Sequence, residues 1–241
     1  MRKSVAAVIA ASVAVSGCSR VHAEEGGATI SRNYQVGNFQ EIEVAGPYDV
    51  EVRTGANPSV SARGAEKLLE RTTVEVKGDK LVIHPENNHS FFHFGWGHRG
   101  KASFVVTVPQ LSGATIAGSG GIKVDKVTGN TFEGEIAGSG GLQLASVDVQ
   151  SLKLSIGGSG GVKTGTGHTK TAEYEIAGSG GIDASGITAE QAKVSIAGSG
   201  SIKANATGAA DVDIMGSGDV NLTGGAKCNV NKAGSGNVRC S

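Results

Sequence analysis

The chain repeats one short motif at a nearly fixed distance along its second half, and this repeat constrains the fold more than any other feature. Gly-Ser-Gly triplets begin at positions 118, 138, 158, 178, 198, 216 and 234, so the spacing is 20 residues four times and then 18 twice. A fixed period of this size is typical of solenoid proteins, in which each repeat forms one coil that stacks on the next. The sequence therefore predicts a solenoid with coils of about 20 residues.

Apolar residues alternate with polar ones on both sides of each triplet, which predicts strands with one buried face. The residues two positions before the triplets are Ile116, Ile136, Ile156, Ile176, Ile196, Ile214 and Lys232. The residues two positions after them are Ile122, Leu142, Val162, Ile182, Ile202, Val220 and Val238. In an all-β solenoid these two columns become aliphatic ladders inside the coils, and Lys232 ends one ladder where a polar end must stop further stacking.

One outward column carries charges that alternate in sign from coil to coil. Five residues before the triplets the chain has Glu133, Lys153, Glu173, Lys193 and Asp211. Stacking one coil on the next would place opposite charges side by side, whereas like charges in register would be destabilising. The column therefore favours this register.

The glycines of the motif are predicted to form corners between strands. A dinucleotide-binding loop needs a helix directly after its glycines, and a phosphate-binding loop needs a Lys-Ser or Lys-Thr pair, and "GSGGIKVDKVTG" has neither. Glycine suits a tight corner because it adopts positive φ and leaves room for the neighbouring coil. The triplet serines should then stack along one edge, where they either hydrogen-bond the turn or form a polar strip that contacts a ligand: Ser119, Ser139, Ser159, Ser179, Ser199, Ser217 and Ser235.

The region before the repeats is also predicted to be β, but without the regular period. "FQEIEVAGPYDVEVRTG" predicts two strands around a Gly-Pro turn, and "SVSARG" predicts a third. Residues 65–72 could form one or two helical turns, and "TTVEVKGDKLVIHP" predicts a hairpin that turns at Gly78 and Asp79. The predicted domain therefore covers residues 38–241, with an irregular β part at 38–110 and repeat coils at 111–241.

Residues 84–100 combine histidines with aromatic residues. Alternation of histidine and phenylalanine in this segment would suit a divalent metal ion, but no Cys, Asp or Glu completes a known ligand spacing, and no metal site or cofactor is predicted. Contact with a partner or a solvated loop are the alternatives. The histidines are His84, His89, His93 and His98, and the candidate contact residues are Phe91, Phe92, Phe94 and Trp96.

The N-terminus has the layout of an export signal. Arg2 and Lys3 precede an apolar run that is too short to span a bilayer. The ending "VSGC" resembles the lipobox of bacterial lipoproteins, which implies a signal peptide at 1–17, an acylated Cys18, a polar tether at 18–37 and an outer-membrane lipoprotein facing the periplasm or the surface. Cleavage after Ala23 to give a soluble secreted or periplasmic protein is the alternative.

Cysteine count and charge limit the partners further. With Cys18 acylated, Cys228 and Cys240 remain as a pair in an oxidising compartment, which predicts a disulfide. Lys plus Arg equals Asp plus Glu at 22 each, so the chain lacks the overall basic charge of a nucleic-acid-binding protein. The predicted partners are the membrane, through the lipid, and a glycan or an envelope or surface protein.

Three separated segments resemble one bacterial family in the same order. "NFQEIEVAGPYDVEVRTG", "FVVTVPQL" and the "IAGSGGIKV" repeats are similar to the head GIN domain of auto-transporter adhesins. The resemblance implies a right-handed parallel β-helix of pectin-lyase-like architecture, Gly-Ser-Gly at turns between sheets, no catalytic residues and a role in adhesion. The leading hypothesis is a non-enzymatic binding or adhesion module; a carbohydrate-active β-helix enzyme and a purely structural periplasmic lipoprotein are the alternatives.

Overall fold

The computed structural model describes residues 28–86 and 102–241, of which 76% are in strands. One short helix, α1, spans Glu66–Glu70. The strands are β1 Thr29–Tyr34, β2 Glu41–Ala45, β3 Asp49–Thr54, β4 Ser59–Ala65, β5 Thr72–Lys77, β6 Lys80–Pro85, β7 Ala102–Val108, β8 Gly113–Gly118, β9 Gly121–Val124, β10 Val127–Gly138, β11 Gly141–Gly158, β12 Gly161–Gly178, β13 Gly181–Gly198, β14 Ser201–Gly216, β15 Asp219–Thr223, β16 Lys227–Ala233 and β17 Asn237–Cys240.

The strands wind into a β-solenoid of about six turns, about 20 residues apart, which confirms the predicted fold. Successive coils pair in parallel, and each residue of a 20-residue coil lies beside its equivalent in the next. Ile136, for example, pairs with Ile116 on one side and with Ile156 on the other. The coils therefore repeat in space with the period of the sequence.

Three parallel sheets form the walls of the solenoid. The first sheet contains the segments that precede the triplets, in the order β6, β2, β8, the ends of β10 to β14, and β16. The second sheet contains the segments that follow them, in the order β7, β3, β9, the starts of β11 to β14, β15 and β17. The third sheet contains the start of β10 and the middle parts of β11 to β14.

The predicted aliphatic ladders form the core. Every isoleucine of the column before the triplets is at most 2% exposed, and every residue of the column after them is at most 3% exposed from Ile122 to Val220. Lys232 ends the first ladder as predicted, because it lies beside Ile214 in the last coil and its Nζ donates to the carbonyl oxygen of Gly236, 2.8 Å away. The core thus stops where the apolar column stops.

The first and third glycines of each triplet are required by the corner itself. Gly138 has a φ of 131°, and a Cβ added to it would lie 2.5 Å from the carbonyl oxygen of Gly118. A Cβ on Gly140 would lie 2.5 Å from the carbonyl oxygen of Gly120. The corner reading of the motif is therefore correct, since the coils approach too closely there for any side chain.

The N-terminal part is more regular than its sequence predicts. β2 and β3 form a complete coil corner beneath β8 and β9, with Val44 beside Ile116 and Val50 beside Ile122. Gly46-Pro47-Tyr48 occupies the place of a Gly-Ser-Gly triplet, and Gly46 has a φ of 131°. The ladders consequently extend one coil further than the triplets indicate.

Antiparallel strands close the N-terminal end. β4 pairs with β7 and β1 with β4, while β5 and β6 form the predicted hairpin through Gly78 and Asp79. The predicted polar tether at 18–37 is wrong for β1, which is ordered because Ile30 and Tyr34 pack against the core and Arg32 donates to the Leu69 carbonyl oxygen. The predicted helical turn at 65–72 is present as α1.

Polar pairs and a disulfide close the C-terminal end. Asn229, Asn231 and Asn237 of the last coil donate to Asp211, Asp213 and Asp219 of the coil before, at 3.2, 3.1 and 3.0 Å. Cys228 and Cys240 are joined in a disulfide. Cys228 continues the inward column of Ala210 and Cys240 that of Leu222, so the bond crosses the interior of the last coil.

Candidate functional site: the outer face of the second sheet

The serine ladder predicted from the triplets lies at the corner between the first and second sheets. All seven serines are exposed. The backbone N–H groups of five of them, from Ser139 to Ser217, hold the coils together, as when Ser159 donates to the Gly138 carbonyl oxygen at 2.9 Å. Within residues 28–86 and 102–241, their hydroxyl groups have no hydrogen-bond partner, so the predicted hydroxyl bonds to the turn are not made.

The histidine-aromatic segment is described only at its start. His84 Nε2 lies 2.9 Å from Glu75 Oε1, and its Nδ1 lies 2.7 Å from the Pro85 carbonyl oxygen, so both ring nitrogens are occupied by protein oxygens. The other members lie outside the described residues, as does Cys18: His89, Phe91, Phe92, His93, Phe94, Trp96 and His98. In the part of the chain that is described, no group of three His, Cys, Asp or Glu side chains is placed to hold a metal ion.

Lysines on the outer face of the first sheet are neutralised by carboxylates. Lys193 Nζ lies 2.9 Å from Glu173 Oε1, and Lys153 Nζ lies 3.5 Å from Glu175 Oε2. Lys80 Nζ lies 3.3 Å from Glu41 Oε2. The hydrogen bond from Lys193 lowers the pKa of the Glu173 carboxyl, against a smaller opposing effect of burial. In the predicted column of alternating charge, Glu173 therefore pairs with both neighbours, Lys193 at 2.9 Å and Lys153 at 3.9 Å. Glu133 and Asp211 form no ion pair among the described residues.

Cations on the outer face of the second sheet are arranged differently. Three residues after each triplet a single column of side chains points outward, and we call it the lysine column: Lys123, Gln143, Lys163, Asp183, Lys203, Asn221 and Arg239. Its four cations alternate with uncharged or acidic residues and are exposed. Among the described residues, none of these four cations has a carboxylate within ion-pair distance, in contrast to the lysines of the first sheet.

Small residues flank the lysine column on both sides. One residue after the triplets lies a track of Gly121, Gly141, Gly161 and Gly181, continued by Ser201 and, in the last two coils, by the larger Asp219 and Asn237. Beyond the column lie Ala145 and Gly165. The long side chains of the column thus stand as a ridge between two shallow tracks that run along the solenoid.

Two grooves lie along this ridge. One, of about 400 Å³, is lined by Lys123, Gln143, Lys163, Ala145 and Gly165, with Glu51 and Asp125 at its N-terminal end. The other, of about 460 Å³, is lined by Ser201, Lys203, Asp219, Asn221, Asn237 and Arg239. Apolar residues also line both grooves, Val52, Val124 and Leu144 the first and Ile202, Val220 and Val238 the second, and most of the lining of the first groove is apolar. The polar part of the first groove offers amide and ammonium groups, and that of the second offers amide, hydroxyl, ammonium and guanidinium groups, which are donors for hydroxyl-rich or anionic ligands.

The acidic residues near the ridge are bound to the protein itself. Glu51 Oε1 accepts a hydrogen bond from Arg53 at 2.8 Å, and Asp125 Oδ1 accepts from the backbone N–H of Thr54 at 3.0 Å. Asp183 Oδ1 accepts from the Ser185 hydroxyl at 2.7 Å. That bond lowers the pKa of the Asp183 carboxyl, and Lys203 and Lys163 add smaller contributions.

The second-sheet face was not among the residues that the sequence singles out. The signal was nevertheless present, because listing the residues three positions after the triplets gives Lys123, Lys163, Lys203 and Arg239 at every second repeat. The same column-by-column comparison that predicts the ion pairs of the first sheet would have found it.

Within the described residues, no helix is long and apolar enough to cross a membrane.

Comparison with known proteins supports the fold. A sequence model of the family described as "Putative auto-transporter adhesin, head GIN domain" matches residues 38–226. A crystal structure described as a "putative adhesin" from Bacteroides fragilis NCTC 9343 has a TM-score of 0.79 at 23% identity, covering 89% of this chain and 97% of that one. No curated protein matches the chain.

Two further solved structures are similar. A "putative lipid binding protein" from Parabacteroides distasonis ATCC 8503 has a TM-score of 0.69 at 25% identity, covering 89% of this chain and 97% of that one. A "putative adhesin" from Parabacteroides merdae ATCC 43184 has a TM-score of 0.66 at 18% identity, covering 89% and 97%. These likenesses extend along nearly the whole length of the solved chains.

Proposed function

The chain belongs to the head GIN domain family of adhesin-like proteins, and from this premise we propose that it is a non-enzymatic binding module held at the bacterial cell envelope. Its ligand is a glycan or another component of an envelope or cell surface. The observation that carries the proposal is the outer face of the second sheet, where four exposed cations have no partner in the described part of the chain.

The rigidity of the coils supports a role in binding. Backbone pairing fixes the distance between equivalent Cα atoms in neighbouring coils at ~4.8 Å, so the backbone positions of the lysine column are held in register before any ligand arrives. A backbone that is already ordered loses little conformational entropy when a ligand binds. A face of this kind suits an extended ligand that meets several coils at once.

The membrane anchor is proposed from the sequence. The apolar run before "VSGC" and the cysteine that ends it fit acylation of Cys18 better than cleavage after Ala23. One acyl chain contributes ~0.8 kcal/mol per buried methylene, so a cysteine with more than one chain anchors a protein stably. Cys18→Ser should therefore move the protein from the membrane to the soluble fraction, and a variant that stays in the membrane fraction contradicts lipidation.

We propose that the protein has no catalytic activity because the carboxylates that line the first groove already accept hydrogen bonds from the protein itself. Glycoside hydrolysis needs two carboxyl groups that are free to act on a sugar. Glu51 is held by Arg53, and Asp125 is held by Thr54 and by its own chain neighbour Lys126 through a backbone N–H. Prolonged incubation with acidic and neutral polysaccharides should leave their length distribution unchanged, and fragments that disappear with Glu51→Gln would favour the enzyme instead.

The proposed function is tested by binding to envelopes. Labelled protein carrying Cys18→Ser, to remove the lipid, is mixed with whole bacterial cells and with isolated envelope fractions, and the bound fraction is measured by sedimentation. We expect saturable binding that unlabelled protein displaces. Failure to bind any cell or envelope fraction would instead favour the purely structural lipoprotein. Protease accessibility on live cells then distinguishes a surface-facing module from a periplasmic one.

A further inference from the structure

The cations of the lysine column recur at every second coil along the solenoid. Lys123, Lys163, Lys203 and Arg239 are separated from one another by one intervening coil, which carries Gln143, Asp183 or Asn221. Neighbouring coils are ~4.8 Å apart, so the cations repeat about every 10 Å over a straight line of about 29 Å. This is a linear pattern of charge with a fixed period.

Neighbouring carboxylates account for only part of this pattern. Asp183 lies in register between Lys163 and Lys203, and Glu51 lies in register beside Lys123, but in the described chain neither carboxylate comes within ion-pair distance of these lysines. Three lysines of the first sheet, Lys80, Lys153 and Lys193, have glutamate partners in neighbouring coils, such as Glu173 for Lys193 at 2.9 Å, and so contribute to coil stacking. In the described part of the chain the four cations of the lysine column have no such partner and no hydrogen bond. Their charge is therefore available to a ligand.

The surroundings of the column leave room for a chain-like ligand. The glycine track on one side and Ala145 and Gly165 on the other carry no long side chains. The groove of about 400 Å³ lies beside Lys123 and Lys163, on the side of Ala145 and Gly165. The groove of about 460 Å³ lies beside Lys203 and Arg239, on the opposite side, which carries Ser201. Free space thus borders the column on one side in its N-terminal half and on the other side in its C-terminal half.

Building on the proposed binding function, we propose that the lysine column binds a linear acidic polysaccharide in which charged sugars alternate with neutral ones. Its carboxylates, sulfates or phosphates would recur about every 10 Å and each would meet one cation. The amides of Gln143 and Asn221, which lie between the cations, would donate to the hydroxyl groups of the neutral sugars. The charge complementarity of ligand and face fixes the occupant.

Other polymers fit this face less well. Double-stranded DNA carries one charge per ~1.7 Å of its axis, which is far denser than one cation per coil pair. Protein partners usually bind through buried aromatic or arginine anchors in pockets, whereas the lysine column has no aromatic residue and its one arginine, Arg239, is exposed at the C-terminal end. A polysaccharide needs only the hydrogen bonds and spaced charges that the face provides.

The test uses polymers that differ in charge spacing. Hyaluronan has one carboxylate per disaccharide, polygalacturonate has one on every sugar, and dextran is neutral. Binding of the Cys18→Ser protein is measured by biolayer interferometry on immobilised polymer at several salt concentrations. We expect hyaluronan to bind more tightly than polygalacturonate at equal chain length, no binding to dextran, and weaker binding as salt screens the charges.

Variants assign the binding to the column. Lys163→Gln should weaken hyaluronan binding about fivefold, which corresponds to one charge-assisted contact, and Lys163→Gln with Lys203→Gln about 25-fold. Asp183→Asn should strengthen binding, since it removes the one carboxylate between two cations of the column. Lys193→Gln is the matched control, because it removes the same charge from the first sheet and should leave binding unchanged.

Each outcome decides between specific ideas. Absence of binding to hyaluronan, or binding that Lys163→Gln and Lys193→Gln reduce equally, would overturn the inference. If the protein still binds envelope fractions while the column variants have no effect, the proposed function stands and the site lies elsewhere. If the protein binds neither the polymers nor the envelope fractions, both the polysaccharide inference and the proposed binding function are wrong. Circular dichroism and melting temperature of each variant verify that the fold is kept.

Discussion

The backbone N–H of Ser139 donates a hydrogen bond to the carbonyl oxygen of Gly118, which lies 2.9 Å away in the preceding coil. The same bond recurs from Ser159 to Gly138 and from Ser179 to Gly158, each at 2.9 Å. The corner is therefore a stacking device in which backbones of successive coils approach closely. This close approach explains why the motif contains glycine on both sides of the serine.

Gly138→Ala should destabilise the solenoid, whereas Gly141→Ala should not. Gly138 has a φ of 131°, and its added Cβ would meet the Gly118 carbonyl oxygen at 2.5 Å. Strained backbone of this kind costs ~1–3 kcal/mol before the clash is counted. At Gly141 the nearest atom to an added Cβ lies 3.9 Å away. Thermal unfolding measures both, and equal melting temperatures would contradict the corner account.

The Glu173–Lys193 pair should contribute a small, salt-dependent coupling between neighbouring coils. A double-mutant cycle with Glu173→Gln and Lys193→Gln is expected to give ~0.2–1 kcal/mol, because both side chains are partly exposed. The hydrogen bond from Lys193 lowers the pKa of Glu173, so the contribution is present above the ordinary glutamate pKa and is lost as pH falls through the folded-state value. A coupling that does not shrink in 1 M salt would show that charge is not its origin.

The repeat part of the fold was predictable because each coil uses the same residues at the same places. Ile136 and Leu142 lie two residues from their triplet, and this spacing alone predicts their burial. The sequence does not identify Gly46-Pro47-Tyr48 as a corner equivalent to Gly-Ser-Gly. Only its first residue agrees with the motif, and the positive φ of that glycine is what the corner needs. β1 was missed because its pairing with β4 depends on backbone bonds between segments far apart in sequence.

The candidate site was less predictable than the fold. Lys163 and Lys203 are ordinary surface lysines in the sequence, and the property that distinguishes them is the lack of a partner in the described chain. That property depends on which side chains reach across from neighbouring coils. Lys193 has Glu173 in the same column of the preceding coil. Lys163 has Gln143 in the coil before it and Asp183 in the coil after it, and the Asp183 carboxylate accepts a hydrogen bond from Ser185.

Tyr174→Phe should stabilise the protein, although it removes a polar group. Tyr174 is fully buried, and its hydroxyl has no hydrogen-bond partner within the described residues. An unsatisfied buried hydroxyl costs ~1–3 kcal/mol, so we expect the free energy of unfolding to rise by about 1 kcal/mol. Tyr48→Phe is the matched control: the Tyr48 hydroxyl lies 3.1 Å from Thr72 Oγ1, and its loss should lower stability. Urea unfolding of both variants gives the comparison.

The buried Tyr174 hydroxyl should make the folded protein less stable at alkaline pH. Burial raises the pKa of its hydroxyl well above the ordinary value of 10.0, because the charged form is disfavoured in the core. Above pH 10 the unfolded chain loses this proton and the folded chain keeps it, so stability that is present below pH 10 is lost as pH rises. In Tyr174→Phe the fall in melting temperature between pH 9 and pH 11 should be smaller than in the parent protein. An identical fall would mean that other groups cause it.

Removal of the Cys228–Cys240 disulfide should loosen the last coil before it affects the rest. The bond joins residues 12 apart in sequence, and closing a loop of about this size is worth ~3 kcal/mol. β16 and β17 are bordered by a neighbouring coil on one side only, so few other contacts replace the bond. With Cys228→Ala and Cys240→Ala together, amide hydrogen exchange should accelerate in β16 and β17 and remain unchanged in β12, which has coils on both sides. Uniform acceleration along the solenoid would instead mean that the disulfide stabilises all coils as one cooperative unit.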